Sequence, residues 1–236
     1  MSSVDVYIVV EGQTEQTFVR DVLAPQMAAK EIYLYPVLIG KPGHKGGCVH
    51  FNRAKNDIGN FFRQRKNTYI TTMFDYFRID SDWPGKEEIK RQTENGITLS
   101  STSKAEILES ATCQKIGEIF GSDSEKRFIP YIEMHEFEAL LFSDVNILAE
   151  KTDIDVSYLT GIIEEHHNPE EINDDPAKAP SKRLEALNKG YRKVAMGKAV
   201  SEAIGIEAMR RQCPHFDNWL AKLEHLKGNP DGKAKS

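Results

Sequence analysis

The residues of this chain best suited to chemistry are carboxylates placed where strands end. Glu11 and Glu15 flank a Gly-Gln-Thr turn directly after the apolar run Val4 to Val10, and Asp75 closes a second such run, Tyr69 to Phe74. In an open α/β sheet, ligands bind outside the carboxyl ends of the strands. A Glu at a strand tip, followed by Gly and an amphipathic helix, therefore stands at the mouth of a site rather than in the core. Glu15 falls in the first helical turn, where the helix dipole favours a carboxylate; taken alone, ordinary capping and dipole chemistry explains it better than a site role. Parallel strands present their carboxyl ends on one side, so Glu11 and Asp75 share an edge. Hard oxygen donors converging there suit Mg²⁺, which commonly bridges protein carboxylates to phosphate. Asp80 and Asp82, in the loop that follows, read either as outer ligands or as a solvated turn. His135-Glu136-Phe137-Glu138, after the run Phe128 to Ile132, brings further acids to that edge. Two positions apart on a helix, Glu136 and Glu138 point about 200° apart, so one ligates while the other faces elsewhere. His135 is open between a site role and a helix cap.

Candidate anion contacts lie nearby in sequence. The segment Gly40 to Gly47 carries Lys41, His44 and Lys45 among four glycines, a composition suited to an anion nest, with Lys45 the first candidate for a phosphate. Arg53 and further basic residues follow on the next helix, and Lys182-Arg183 open a later one; each is either a phosphate track or a solvated face. The glycine segment does not match the P-loop pattern, His135-Glu136 is not a zinc-protease motif, and no nucleophile elbow is present. Cys48, Cys113 and Cys213 are widely spaced without a C-x-x-C pair, so they read as reduced thiols, with Cys213 a packing and capping residue.

The elements that must position these groups follow from the pattern of apolar residues. Strands are expected at Val4 to Val10, Tyr33 to Ile39, Tyr69 to Phe74 and Phe128 to Ile132. Helices are expected from Thr14 to about Lys30, interrupted near Pro25, then over Phe51 to Arg65, Lys104 to Phe120 and Glu136 to Phe142. The alternation implies an α/β fold with a mostly parallel central sheet flanked by helices. Beyond residue 150 short helices alternate with Asn/Pro/Asp clusters. We therefore expect an α/β domain over 1–150, a helical C-terminal portion over 151–226 packed on it, and a disordered tail over 227–236. A net charge of −5 over 236 residues argues against a protein that coats nucleic acid by bulk electrostatics. The lack of a long apolar run or a signal-like N-terminus reads as a cytoplasmic protein.

A set of segments carries a resemblance. Val10-Glu11-Gly12-Gln13-Thr14-Glu15, Thr71-Thr72-Met73-Phe74-Asp75-Tyr76, Trp83-Pro84-Gly85, Ile129-Pro130-Tyr131-Ile132, His135 to Phe142, Pro169 to Asn173, Ala179 to Leu184 and Cys213-Pro214-His215-Phe216 together resemble the bacterial domain of unknown function 4276. That family is similar to the Toprim superfamily of topoisomerases, primases and overcoming-lysogenization-defect nucleases, some of which act in anti-phage defence beside an ABC-type ATPase. The resemblance implies a Toprim-like fold and one or two Mg²⁺ or Mn²⁺ ions, with Glu11 as the strand-tip glutamate and Asp75 as the first aspartate of D-x-D. Glu15 matches the extra acid of the nuclease branch. The second aspartate position is Phe77, a departure for which Glu136 or Glu138 would compensate. The activity implied is a metal-dependent phosphodiesterase cleaving DNA or RNA through Glu11, Asp75 and Glu138. The competing expectation is a non-catalytic module with a degenerate site that docks on the ATPase.

Overall fold

The computed structural model describes residues 3–40, 48–64, 68–172 and 175–228. Its frame is a parallel sheet. Strand β1 (Val4–Val10) lies between β2 (Ile32–Leu38) and β3 (Tyr69–Asp75), β4 (Phe128–Ile129) pairs with the far side of β3, and β5 (Ile132–Glu133) continues the pairing at the end of β3. Order β2-β1-β3-β4 means that the chain leaves β1 first to one side and then returns to the other. The strand order thus reverses between β1 and β3, and such a switch point opens a crevice at the carboxyl ends. Glu11 directly follows β1, and Asp75 ends β3.

Both faces of the sheet are covered, which explains why these strands read as nearly continuous apolar runs. On one face Val6, Ile8, Val10 and Met73 join a core with Phe18, Phe137, Leu159, Val200, Phe216 and Trp219. Residues beyond 150 thus share a core with the first strand, through α7 (Val145–Thr152), α8 (Val156–Glu164), α9 (Pro180–Leu187), α10 (Lys193–Ile204), α11 (Ile206–Gln212) and α12 (Pro214–His225). On the other face Val9, Ile70 and Phe74 pack with Ile58 of α3 (Phe51–Gln64), Trp83, Ile89 of α4 (Lys86–Glu94) and Leu108 of α5 (Ser101–Phe120). Gly85, in Trp83-Pro84-Gly85, is left-handed at φ 93°, and a Cβ there would meet the Ile107 carbonyl at 2.9 Å. That motif therefore lets α4 approach α5. No helix among the described residues is long and apolar enough to cross a membrane.

Three expected elements differ in form, two of them because of proline. The helix expected from Thr14 starts at Gln13 as α1 (Gln13–Phe18), passes through a π-helical turn, Val19–Leu23, and resumes as α2 (Ala24–Ala28). Pro25 lacks the N–H that an α-helix would direct at Asp21, and the wider turn just before it absorbs the mismatch. The expected strand Phe128 to Ile132 is split at Pro130. There the Thr72 side chain takes over the ladder, its Oγ1 accepting from the Tyr131 amide at 2.9 Å and donating to the Tyr131 carbonyl at 3.0 Å. Third, the helix expected at Glu136 to Phe142 is a 3-10 helix, Phe137–Ser143. Lys227 and Gly228, expected in the tail, complete a 3-10 turn, Leu226–Gly228; 229–236 lie outside the described residues.

Candidate metal centre

Glu11, Glu15 and Asp75 meet at the switch point, with one carboxylate oxygen of each within 4.8 Å of the other two. Each reaches the cluster by a different device. Glu11 leaves the tip of β1 and is the most open of the three, its side chain 14% exposed. Glu15 sits in the first turn of α1 and is buried. Gly12 between them is extended, with φ −141°, so no left-handed conformation requires glycine there. What requires glycine is space, since a Cβ there would lie 2.9 Å from Glu15 Oε2. Asp75 is buried under the Phe137–Ser143 turn, whose Phe137 amide donates to Asp75 Oδ1 at 2.9 Å.

The electrostatics are those of crowded, largely buried acids, which a cation could neutralise. Burial, reinforced by Glu15, pushes Glu11 up to about 8, against the pull of Arg78. Burial also raises Glu15, although its own amide and that of Gly12 pull it down. Asp75 is pushed well above the carboxylate range by burial and then by Glu11, Glu15, Glu138 and Glu136. Glu11 Oε2 is buried with no hydrogen-bond partner among the described residues. Crowded acids that protein donors leave unsatisfied are costly unless a proton or a metal ion neutralises them. An all-carboxylate donor set fits a hard divalent cation, so the residues present fit such an ion.

A second layer adjoins this cluster. Glu138, in the Phe137–Ser143 turn, is buried and pushed up to about 7, chiefly by burial, with Lys193 pulling it back. Its Oε1 lies 3.5 Å from Lys193 Nζ, at the start of α10. Glu136 Oε2 instead accepts from the Ser181 amide of α9 at 3.0 Å, so of the two acids Glu138 keeps an oxygen without a hydrogen bond. Phe77, at the second D-x-D position, stacks on the buried His135 ring at 5.2 Å. Asp80 pairs with His50 at 2.9 Å and Asp82 accepts from Ser81, so neither joins the cluster.

The expected anion contacts lie elsewhere or outside view. Lys41 and Lys45 fall outside the described residues. Arg53 turns back to the Ile39 carbonyl at 3.3 Å, near the end of β2. Lys182 pairs with Glu185 at 2.8 Å on the surface, and Arg183 donates to the Lys178 carbonyl at 2.9 Å. The cations that do flank the acids, Arg78 at 3.8 Å from Glu11 and Lys193, were missed by sequence reasoning. Lys193 carried one local signal. A lysine at the first position of a helix opposes the dipole, and such local violations mark function. Glu133 was missed as well. It is in register with Asp75 on the neighbouring strand, fully buried, and has one oxygen without a hydrogen bond.

No curated protein matches the chain. Among solved structures it is similar to the C-terminal region of the Xanthomonas campestris pv. campestris OLD protein, at 17% identity and a TM-score of 0.39, over 94% of this chain and 97% of that one. The profile of the domain of unknown function DUF4276 matches residues 10–224, from the last residue of β1 almost to the end of α12, and the chain belongs to that family.

Proposed function

We propose that this protein is a Toprim-type phosphodiesterase that cleaves DNA or RNA with Mg²⁺ or Mn²⁺ held by Glu11, Glu15 and Asp75. The observation that carries the reading is the convergence of three crowded carboxylates at a topological switch point, one of them with a buried oxygen that no donor among the described residues satisfies. A divalent ion bound there supplies charge stabilisation to the attacking and leaving oxygens of a phosphodiester. The chain's own residues do the rest. The Phe137 amide fixes the Asp75 carboxylate through Oδ1. Glu138, held near 7, exchanges a proton at Oε1 close to neutral pH, the range in which general acid–base catalysis is most effective. Lys193 and Arg78 flank the acids with positive charge suited to a phosphate backbone. A role in anti-phage defence, which rests on the family resemblance, and a cytoplasmic location are part of the same proposal.

The test is cleavage of supercoiled plasmid, linear DNA and total tRNA by purified protein in Mg²⁺ or Mn²⁺, beside Glu11→Gln. Metal-dependent cleavage that the variant loses is the expected result; cleavage that survives Glu11→Gln overturns the site assignment. One observation favours a second reading, a non-catalytic module that docks on an ABC-type ATPase: the aromatic Phe77 fills a ligand position and is packed on His135. A stable complex with such an ATPase, and no cleavage in any metal with or without it, would establish that reading instead.

A further inference from the structure

One residue along the chain from Asp75, a cleft of about 460 Å³ lies between the segment that leaves β3 and helix α4. Tyr76, one residue beyond Asp75, forms its wall together with Ile79 and Ile89, while Lys86 and Lys90 supply positive charge and Ser81 stands at its rim. The ammonium of Lys86 is fixed in place, 3.5 Å from the centroid of the Tyr76 ring and 3.3 Å from the Tyr76 carbonyl. Lys90 reaches into solvent, 76% exposed and only loosely paired with Glu94 at 3.8 Å. Tyr76 directly follows Asp75, so the cleft begins one residue along the chain from the acid cluster.

An apolar and aromatic slot of this size falls within the range of small-molecule pockets, roughly 300–1,000 Å³. It is flanked by cations and opens within one residue of a carboxylate that would hold a phosphate-bridging ion. The recurrent binding of unpaired nucleotides combines related features, an apolar surface for the base with a positive track for the backbone; here Lys86 covers a face of the Tyr76 ring, and Ile79 and Ile89 offer the apolar surface. A base still paired in a duplex is stacked inside the helix and cannot enter such a slot without leaving it.

Resting on the phosphodiesterase reading, we propose that this cleft receives the base of an unpaired nucleotide next to the scissile phosphate, so that the substrate class is single-stranded nucleic acid. Lys86 and Lys90 then hold the backbone on the flank of that base, and the metal centre engages the adjoining phosphate.

The experiment is fluorescence anisotropy of the full chain with labelled strands in Ca²⁺, comparing single-stranded DNA, single-stranded RNA, a blunt duplex and an abasic strand that keeps every phosphate but lacks bases. The abasic strand and the duplex are expected to bind about tenfold more weakly than the normal single strands. Ser81→Trp fills the cleft from its exposed rim; it should cost the normal strand the same factor and the abasic strand nothing. Lys90→Glu should weaken both. Equal affinity for normal and abasic strands, an equal loss on both with Ser81→Trp, or no binding of any strand would overturn the proposal. The two DNA and RNA arms separate the polymers. Failure of the parent reading looks different: base discrimination without metal-dependent cleavage removes the enzyme and keeps the cleft, whereas cleavage without base discrimination does the reverse.

Discussion

Two clusters of buried acids lie on this fold, and they are finished in opposite ways. Behind β5, Glu109 accepts from the Ile132 amide at 3.1 Å and pairs with His215 at 3.0 Å and Lys222 at 3.6 Å. Nearby, Glu170 accepts from the His215 and Phe216 amides at 2.9 and 2.8 Å, closing the first turn of α12. Both oxygens of Glu109 and both of Glu170 have partners, so the protein itself completes their bonding and these two acids serve to lock elements together. At the ends of β1 and β3 the acids face one another, and Glu11 Oε2 has no hydrogen bond. Both clusters are buried; what separates them is whether the protein itself completes their bonding. Incomplete bonding in a buried acid cluster is a standing cost to stability, and on the proposed reading it is the metal ion that completes it.

The sharpest way to break this contrast is Asp75→Asn. The amide keeps the oxygen that accepts from Phe137, so the local fold should hold, while a metal-binding charge disappears. Cleavage should fall about 10³-fold, roughly 4 kcal/mol of transition-state stabilisation. Thermal unfolding of the metal-free variant should come about 3 °C higher, because one member of a repelling set is gone. A variant that melted lower and still cleaved would make Asp75 a structural acid. Glu170→Ala should do the opposite. It leaves two buried amides unpaired, which costs about 3 kcal/mol in a denaturant titration, while the folded fraction binds Mn²⁺ as tightly as before. Glu170→Gln, which retains one acceptor, should cost about half as much.

How far the sequence discloses this contrast depends on the range of the interactions. Glu11, Glu15 and Asp75 were legible because a strand tip is a local pattern and the parallel alternation brings two tips to one edge. The sheet itself was legible for the same reason, apart from the places where Pro25 and Pro130 changed the backbone bonding. The satisfied cluster was not legible. Glu109, Glu170 and His215 look like ordinary polar residues until helices from distant parts of the chain bring donors to them. Lys193 and Arg78 were missed because an ion pair leaves no periodic trace in sequence, and the basic residues that did stand out, Lys182 and Arg183, are engaged with their own surroundings.

The pH dependence of stability sharpens the comparison at the next level. Glu11 titrates near 4.5 when unfolded and at about 8 when folded, so between those values the folded state holds protons that the unfolded state has released. Stability of the metal-free protein must therefore fall as pH rises through that window. Glu15 and Asp75, also raised, act in the same direction. The loss should be on the order of 2 kcal/mol after the site relaxes. Saturating Mn²⁺ replaces the protons and should flatten or invert the slope. A metal-free protein that gained stability from pH 5 to pH 8 would show that these acids are neutralised internally, as in the other cluster.

The smallest effect, and the most specific, is expected from Lys193→Met. Burial opposes the charge on Lys193, yet Glu138, Glu136 and Asp75 together raise it, so it is held as a cation beside the acids. At low pH the metal-free acids are protonated and ignore it; once a divalent ion enters and they ionise, the site is left with net negative charge that the lysine favours. Removing it should weaken metal binding there about threefold, or roughly 0.7 kcal/mol. Above about pH 8 the metal-free acids are already ionised, and the lysine then stabilises the empty state more than the filled one, so its loss should tighten binding by a similar factor. Mn²⁺ titrations of the two proteins should accordingly cross between pH 6 and pH 9, with the midpoint near the Glu11 and Glu138 values of about 8 and about 7. Parallel curves would mean that Lys193 is a surface partner of Glu138 alone, and that the electrostatic boundary of the unfinished cluster stops short of α10.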